Sequence, residues 1–523
     1  MEGAIEQATK LGLSTEEFDK IKNVLGKNPS QKELEIVSSV LSNNGSLNKT
    51  VNALGRLPEV KDLEAFTIAG DVIPVLSKSS MNQIASLLTV HTGDLSNAEV
   101  KKEVSKLAGS NQKELKRSSV NFDAFTGDQV IVSNLSLGLS EKSAFTPGVI
   151  SLSKNNEMVQ MPIKTLVELS SEVQISAPKR IADLEDFDIE SILEPEDLRE
   201  VAMSLLGNEN FANDRLFSKV EATTDAGVVD LKDVNASLML SVKSNPRYFR
   251  ANPMKGVAIS MIEAARDIVV SGGKPLMISN DLEILNEKSP ELDWQFSEAM
   301  EGLKKISFAL NTPIASNHIS INGGAKMESD DANPMLSSIG MVGVLEKGKS
   351  VMTSNFKNKG DLIFILGDSE DCISSSEYLS SYHKVKSSPA PHLNLDKEIE
   401  LQRTVKELIG KELVNAAHGI SKGGLYIALT EMGLKNELGF DIVTDSEVRE
   451  DAFLFGEGQS RVLVTVDEDQ EDDFIEFMMA ANTQFTLLGH VTKGKTVVDD
   501  VHFGFMNEAK DIYENALENT LNA

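Results

Sequence analysis

The sequence feature that most constrains the fold is a helix pattern followed by a glycine pair and a short strand, within residues 252–280. Apolar residues recur between positions 257 and 269 with the three- and four-residue spacing by which a helix buries one face. Asn252-Pro253 suits the start of this helix because proline tolerates the first turn, and Gly272-Gly273 suits its end because glycine adopts the left-handed conformation readily. A short apolar strand is predicted directly afterwards, at 275–279, so this part of the chain is predicted to be an α/β unit.

Strand and helix patterns continue to alternate after this unit. An amphipathic helix is predicted at 294–310, a strand at 314–321, and a continuous apolar strand of the kind that lies inside a sheet at 339–345. A second unit opens near residue 361 and contains another glycine pair, Gly423-Gly424. The fold class is therefore predicted to be α/β (α+β), with two α/β domains in tandem.

The N-terminal part of the chain has weaker patterns. Two helices are predicted within residues 1–50, the first with the capping-box residues Ser14 and Glu17. The later segments are interpreted as a strand pair at 66–78, a charged surface helix or loop at 96–119, and strands at 129–139 and 148–161. Residues 157–162 suit an edge strand, because Pro162 has no backbone N–H to donate to a neighbouring strand. An acidic stretch at 183–200 marks a boundary, so the expected domains are 1–50, 51–190, 191–345 and 346–523.

Composition excludes several classes of function. The 523 residues carry 80 acidic and 51 basic side chains, and the net charge of −29 opposes binding to nucleic acid or to an anionic membrane. The chain contains no apolar run of membrane-spanning length, and its first residues lack the pattern of a signal peptide. Cys372 is the one cysteine, which excludes an internal disulfide and favours a reducing, cytoplasmic setting.

Eight ordered motifs resemble one family, the small-type PurL subunit of phosphoribosylformylglycinamidine synthase. The resemblance is strongest over about residues 200–515, and a fainter similarity covers the N-terminal helices. The motifs are Asn245-Pro-Arg-Tyr248, Glu263-Ala-Ala-Arg-Asp267, Ser271-Gly-Gly-Lys-Pro-Leu276, 286–295, Ile339-Gly-Met-Val-Gly343, Ser376-Glu-Tyr-Leu379, Ala417-His-Gly-Ile-Ser-Lys-Gly-Gly-Leu425 and Glu457-Gly-Gln-Ser-Arg461.

This resemblance implies a tandem fold similar to PurM, the aminoimidazole ribonucleotide (AIR) synthetase, with a first half that is shorter than in typical members. It also implies an ATP-dependent conversion of formylglycinamide ribonucleotide to formylglycinamidine ribonucleotide, with Mg²⁺ bridging phosphates and carboxylates and with ammonia from a partner glutaminase. The partners that it implies are a second copy of the chain or other purine-synthase subunits.

Several positions that carry the family's chemistry have other residues here. Asn44 and Asn82 occupy the positions of family histidines, and asparagine cannot act as a general base near neutral pH. Residues 42–48, which include Asn44, are interpreted as a structural turn, the alternative being a re-purposed site. His91 is close to Asn82 in the sequence, and it is interpreted either as an ordinary histidine or as a catalytic one. No catalytic residue of the family is therefore expected to be intact.

A small set of candidate ligand contacts remains by resemblance. The nucleotide-binding candidates are Asn280, Ser316 and Asn317, of which Asn317 is also a weak metal candidate; the substrate-binding candidates are Arg247, Ser320 and Glu457. Arg247 either clamps a phosphate or holds a loop through backbone carbonyls. Ser320 is one position later than expected, and the two-residue period of a strand would turn it to the opposite sheet face.

Other family positions have changed charge. Lys243 or its neighbour Val242 stands where the family has an acid, and Lys422 also replaces an acid. His418 is then a packing or hydrogen-bonding residue, the alternative being a base. These changes favour a non-catalytic relative that serves as a structural or regulatory subunit. The alternatives are an active ATP-dependent ligase, or a sensor that binds nucleotide without turnover.

Overall fold

The computed structural model of the chain describes most of its residues with helices, strands and turns. The described residues are 2–41, 51–55, 57, 86–94, 116–123, 129–136, 148–154, 157–170, 187–211, 224–231, 236–287, 289–321, 334–345 and 348–522. Asn44, Asn82 and the strand pair predicted at 66–78 lie outside these residues. No helix in the described part is both long and apolar enough to cross a membrane.

Four helices open the chain: α1 (Glu2–Lys10), α2 (Thr15–Leu25), α3 (Gln31–Leu41) and α4 (Val51–Leu54). The predicted capping box is confirmed, because Glu17 N donates to Ser14 Oγ and Ser14 N donates to the Glu17 carboxylate, at 3.2 and 2.6 Å. Apolar residues of α2 and α3, such as Phe18 and Leu34, are buried in one core with residues of the first large sheet. The N-terminal helices therefore pack onto that sheet.

A small antiparallel sheet follows, formed by β1 (Ser86–Asp94), β2 (Lys116–Asp123) and β3 (Gln129–Ser136) in the order β1-β3-β2. The strand predicted at 129–139 is confirmed by β3 over residues 129–136, and its last three residues lie outside the described part. The interpretation of residues 96–119 as surface helix or loop is wrong at its end, where residues 116–119 belong to β2. Pairing with β3 along the whole length of β2 outweighs the weak local pattern.

The first large sheet has seven strands in the order β5-β4-β9-β8-β10-β7-β6. Its strands are β4 (Val149–Lys154), β5 (Glu157–Pro162), β6 (Gly227–Leu231), β7 (Ala236–Lys243), β8 (Lys274–Ile284), β9 (Ile314–Ile321) and β10 (Met335–Leu345). The predicted edge position of residues 157–162 is confirmed. The sheet extends across the expected boundary at residue 190, because β4 pairs with β9.

The described residues of this region contain five helices: α5 (Ile163–Leu169), α6 (Leu198–Leu206), α7 (Pro246–Ala251), α8 (Pro253–Val270) and α9 (Leu292–Ala309). Of these, α6 packs in the core of the second domain. The helix that organises the sequence is α8, and its predicted ends are confirmed. The Asn252 side chain accepts a hydrogen bond from Lys255 N at 3.0 Å, and Gly272 has a positive φ of 90°. The following strand β8 is longer than the predicted 275–279, because the polar residues after Ser279 continue its pairing with β9 and β10.

The second large sheet also has seven strands, in the order β12-β14-β11-β15-β13-β16-β17. They are β11 (Leu362–Leu366), β12 (Ala416–Gly419), β13 (Gly439–Ile442), β14 (Val462–Val466), β15 (Phe485–Thr492), β16 (Lys495–Val498) and β17 (Val501–Phe505). The helices are α10 (Leu395–Gly410), α11 (Gly424–Gly433), α12 (Glu450–Phe455), α13 (Glu471–Ala480) and α14 (Met506–Asn522). Two α/β domains in tandem, the predicted fold class, are thus confirmed.

Helix α8 lies at the junction of the two domains. It packs against α9, β7 and β10 of the first domain and against α10 and β12 of the second. Near its C-terminal end, Val269 and Val270 are buried in an apolar core with residues of β11, β14 and α10. The polar side chains of the same helix are therefore held between two domains, and they begin the site described next.

Candidate functional site

A buried ion pair joins the two domains in the C-terminal third of α8. The Arg266 guanidinium donates to both oxygens of Glu398 on α10, at 2.9 and 2.7 Å, and to the backbone carbonyl of Ile420 at 3.0 Å. Both side chains are fully buried. Burial opposes the ionised form of Glu398, but Arg266 holds the pKa of that carboxyl below its ordinary value. Such a bidentate pair fixes distance and orientation across the junction.

Arg247 forms a second buried connection between the domains. Asn245 caps the short helix α7 by accepting a hydrogen bond from Tyr248 N at 3.1 Å, and this cap positions Arg247 in the first turn. Arg247 Nη2 lies 2.7 Å from a carboxylate oxygen of Glu377, and its Nε donates to the Ser375 carbonyl at 3.2 Å. Arg247 therefore contacts a carboxylate and a loop carbonyl of the second domain.

Glu457 lies beside this pair and is almost completely buried. One of its oxygens accepts hydrogen bonds from Glu377 N and Gly423 N, both at 2.8 Å, and the other accepts one from the Tyr248 hydroxyl. Burial raises the pKa of the Glu457 carboxyl above its ordinary value. Through these three hydrogen bonds, the Glu457 carboxylate holds two loops of the second domain against Tyr248 of α7.

Asp267 is paired with a lysine at the end of β7. Lys243 Nζ lies 3.0 Å from Asp267 Oδ2, and the Ser241 hydroxyl donates to the same oxygen at 2.7 Å. Burial, together with the charge of Asp225, raises the pKa of Asp267 to about 6, although Lys243 acts in the opposite direction.

His418 connects three elements on the other side of the junction. Its Nδ1 lies 2.7 Å from Asp225 of the first domain, and its Nε2 lies 2.8 Å from Glu431 of α11. The Tyr513 hydroxyl, on α14, donates to the other oxygen of Glu431. Burial would lower the pKa of His418, but the two carboxylates raise it to about 9, so the imidazole is protonated at neutral pH.

The Asp267–Lys243 pair and the groups around His418 line a cavity of about 100 Å³. Its charged lining contains Asp225, Glu263, Asp267 and Glu431 together with Lys243, His418 and Lys422. Burial lowers the pKa of Lys422, and the carboxylates Glu377, Glu457 and Glu263 oppose that effect. The cavity is therefore a polar space at the domain junction in which acids and bases of the chain neutralise one another.

The structure brings together some of the predicted site residues. Arg247 and Glu457 meet at the junction through Glu377, as described above. Asn280 and Asn317 are neighbours in register on β8 and β9, and Ser316 is next to Ser279. Asn280 is buried, and among the described residues neither of its side-chain polar atoms has a hydrogen-bond partner, nor has Oδ1 of Asn317.

Ser320 lies on the sheet face opposite to Asn317, as the two-residue period requires. Its register neighbours are Ser153 and Glu283. On that face, His318 bridges the Asp281 carboxylate at 2.8 Å and the Ser153 hydroxyl at 2.9 Å. Although burial lowers the pKa of His318, the carboxylates of Asp281 and Glu283 raise it above its ordinary value.

Sequence reasoning missed Asp225, Asp267, Glu377 and Glu431 as members of the site. Two signals were available, because Asp267 and Glu377 stand inside motifs that carry the family resemblance. Glu263 and Asp267 also have the four-residue spacing that places two acids on one face of a helix. Asp225 and Glu431 become recognisable only through their contact with His418.

Comparisons with known proteins agree with this two-domain architecture. Residues 223–345 match the N-terminal domain of AIR synthase related proteins, and residues 358–501 match the C-terminal domain of the same proteins. The cavity described above thus lies between the two domains that define this class.

The most informative relatives are PurL subunits of phosphoribosylformylglycinamidine synthase. The one from Alkaliphilus metalliredigens is 32% identical over 366 residues, which cover 66% of this chain and 49% of that protein. The one from Symbiobacterium thermophilum is 34% identical over 356 residues, which cover 60% of this chain and 45% of that protein. The chain thus spans about half the length of the curated relatives it matches.

A solved structure, Thermotoga maritima PurL complexed with ATP, aligns over 92% of this chain and 100% of that one, with 13% identity and a TM-score of 0.50. This likeness concerns the fold alone. The chain belongs to the superfamily of AIR synthase related proteins and is a PurL-like member of it.

Proposed function

We propose that this chain is a non-catalytic PurL-like protein of purine biosynthesis, which acts as a structural or regulatory subunit. The observation that carries the proposal is the internal pairing of charges at the domain junction. Asp267 is paired with Lys243, Asp225 and Glu431 share His418, and Glu377 is paired with Arg247. Carboxylates that are neutralised by the chain's own cations are poorly suited to hold Mg²⁺ and nucleotide phosphates.

The size of the junction cavity supports the same proposal. Its volume is about 100 Å³. Pockets for cofactors and drug-sized ligands usually have about 300–1,000 Å³. Opening the junction to admit a nucleotide would require breaking buried ion pairs, each of which is costly to separate.

Binding and turnover of ATP test this proposal. In a thermal-shift assay a saturating ligand at a hundred times its Kd stabilises a protein by about 2.7 kcal/mol. We expect no shift in Tm with ATP and MgCl₂, and no ADP release with formylglycinamide ribonucleotide and ammonium. The PurL subunit of Symbiobacterium thermophilum, assayed in parallel, is the positive control.

The two alternative hypotheses predict different results. A shift in Tm without ADP release would identify a nucleotide sensor. ADP release that requires both formylglycinamide ribonucleotide and ammonia, at a rate near that of the control, would contradict the proposal and identify an amidoligase. Co-purification with purine-synthase subunits of the same organism, or a dimer measured by light scattering, would identify the assembly in which the subunit acts.

A further inference from the structure

A cation supplied by the chain itself occupies the acidic part of the junction cavity. Lys243 Nζ approaches Asp267 Oδ2 to 3.0 Å from the end of β7, and the Lys243 side chain is only 21% exposed. Asp267 also accepts the Ser241 hydroxyl hydrogen bond. The ammonium therefore lies against a carboxylate that is oriented by a second donor.

The surroundings favour a positive charge at this position. Asp225 and Glu263 line the same cavity as Asp267, and Glu263 stands one helical turn before Asp267 on α8. His418 is paired with Asp225, and Lys422 lies close to Glu263 and to the Glu377–Arg247 pair. Even with Lys243 in place, burial and the charge of Asp225 keep the pKa of Asp267 raised to about 6.

We propose that the junction cavity is a binding site for a small ammonium ion, and that the Lys243 side chain is its covalently tethered occupant. The proposal goes beyond the function proposed above, because it assigns a ligand class to the cavity and holds whether or not the chain catalyses a reaction. A primary ammonium ion is the ligand class that fits these carboxylates, since it is a compact cation with three hydrogen-bond donors and needs no fixed coordination geometry.

Chemical rescue tests this assignment. Lys243→Ala removes the ammonium and three methylene groups and leaves space beside Asp267. We expect the Tm of this variant to fall, and propylammonium chloride at millimolar concentrations to restore about half of the loss or more in a saturable manner. Sodium chloride at the same ionic strength is expected to restore none of it.

Two matched variants show whether the effect comes from the site. Lys243→Met removes the charge but keeps most of the volume, so propylammonium should not restore its Tm. The double variant Lys243→Ala/Asp267→Asn keeps the space but lacks the carboxylate, so it should not respond either. An equal response of all variants, or of the unaltered chain, would contradict the proposal. Rescue of Lys243→Ala by MgCl₂ but not by propylammonium would also contradict it.

A second approach applies if Lys243→Ala does not fold. In a Cys372→Ser background, Lys243→Cys is denatured, alkylated and refolded. Alkylation with bromoethylamine regenerates an ammonium on a side chain of nearly lysine length, whereas iodoacetamide gives a neutral one. The proposal requires a higher refolded fraction and Tm for the aminoethylated protein, and equal values for the two products would overturn it.

Discussion

At the scale of single residues, the molecule is characterised by buried charges that are paired across the domain junction. Arg247, Arg266 and His418 each contact a carboxylate contributed by the other domain. A buried charge that loses its partner is strongly destabilising, because desolvation is then not compensated. The stability of the protein should therefore respond to pH and to single substitutions at these positions.

The pH dependence of stability should report on His418. Its pKa is raised from 6.5 to about 9, so its contribution is complete below pH 6.5 and is lost as the pH rises through 9. We expect a contribution of about 3 kcal/mol, at about 1.4 kcal/mol for each unit of pKa. Urea unfolding at several pH values should show this loss in the unaltered chain and a flatter profile in His418→Gln. The exposed His490→Gln is the control, and an unchanged profile in His418→Gln would refute the assignment.

The Arg266–Glu398 pair should be sensitive to the loss of either partner. Arg266→Met leaves Glu398 buried without a counter-charge and is expected to lower the free energy of unfolding by about 3–5 kcal/mol. Arg266→Met/Glu398→Leu should recover part of that loss because it removes both charges. Arg403→Met is the matched control on α10, since the Arg403 side chain is 65% exposed and its pair with Glu400 should contribute at most about 1 kcal/mol. Denaturant titration measures all three.

At the scale of secondary structure, the glycine after α8 allows the helix to turn directly into β8. Gly272 has a φ of 90°, and a β-carbon there would lie 3.4 Å from the Ser350 carbonyl oxygen. Only glycine adopts this conformation without strain. The orientation of α8 relative to β8, and with it the positions of Arg266 and Asp267, depends on this residue.

Two glycine substitutions should therefore have opposite effects. Gly272→Ala is expected to destabilise the protein by about 1–2 kcal/mol because alanine would be forced into the left-handed region. Gly410→Ala, at the end of α10, has no positive φ and has open space around its α-carbon, so it should be neutral or stabilise by up to about 0.5–1 kcal/mol. Thermal unfolding of the two variants checks the difference, and a similar loss in both would contradict the role of Gly272.

Most helices and strands with regularly spaced apolar residues could be predicted from the sequence. Strand segments that are held only by pairing with other strands could not. Helix α8 and the buried strand β10 follow from the spacing of their apolar residues. The second half of β8 was missed because Asn280, Asp281 and Glu283 are polar, although hydrogen bonding to strands on both sides holds them in the sheet. The start of β2 was missed for a similar reason, since its pairing with β3 is a tertiary contact.

At the scale of the whole molecule, the ion pairs at the junction should make the two domains unfold together. We expect a single calorimetric transition whose van't Hoff enthalpy matches the calorimetric enthalpy. Arg247→Met/Arg266→Met should separate this transition into two, because the two buried arginine–carboxylate pairs that join α7 and α8 to the second domain are lost. Two transitions in the unaltered chain would show that the junction does not couple the domains.

The candidate site could be predicted only in part from the sequence. Arg247 and Glu457 were selected through the family resemblance, but the residue that joins them, Glu377, lies 130 positions after Arg247. No local pattern indicates such a contact, because it arises from the packing of two domains. The nucleotide-binding roles of Asn280, Ser316 and Asn317 and the substrate-binding role of Ser320 stay predictions, as does a metal contact by Asn317.

Because α8 contributes to the cores of both domains, the chain has no simple point at which it can be divided. A fragment ending before residue 346 would expose Val269 and Val270, while a fragment beginning there would lack the guanidinium that neutralises Glu398. Substitutions along α8 must therefore be compatible with the packing of both domains at the same time. Homologous recombination or domain shuffling between this chain and a relative should therefore succeed only when α8, α10 and the loop around Glu377 are transferred together.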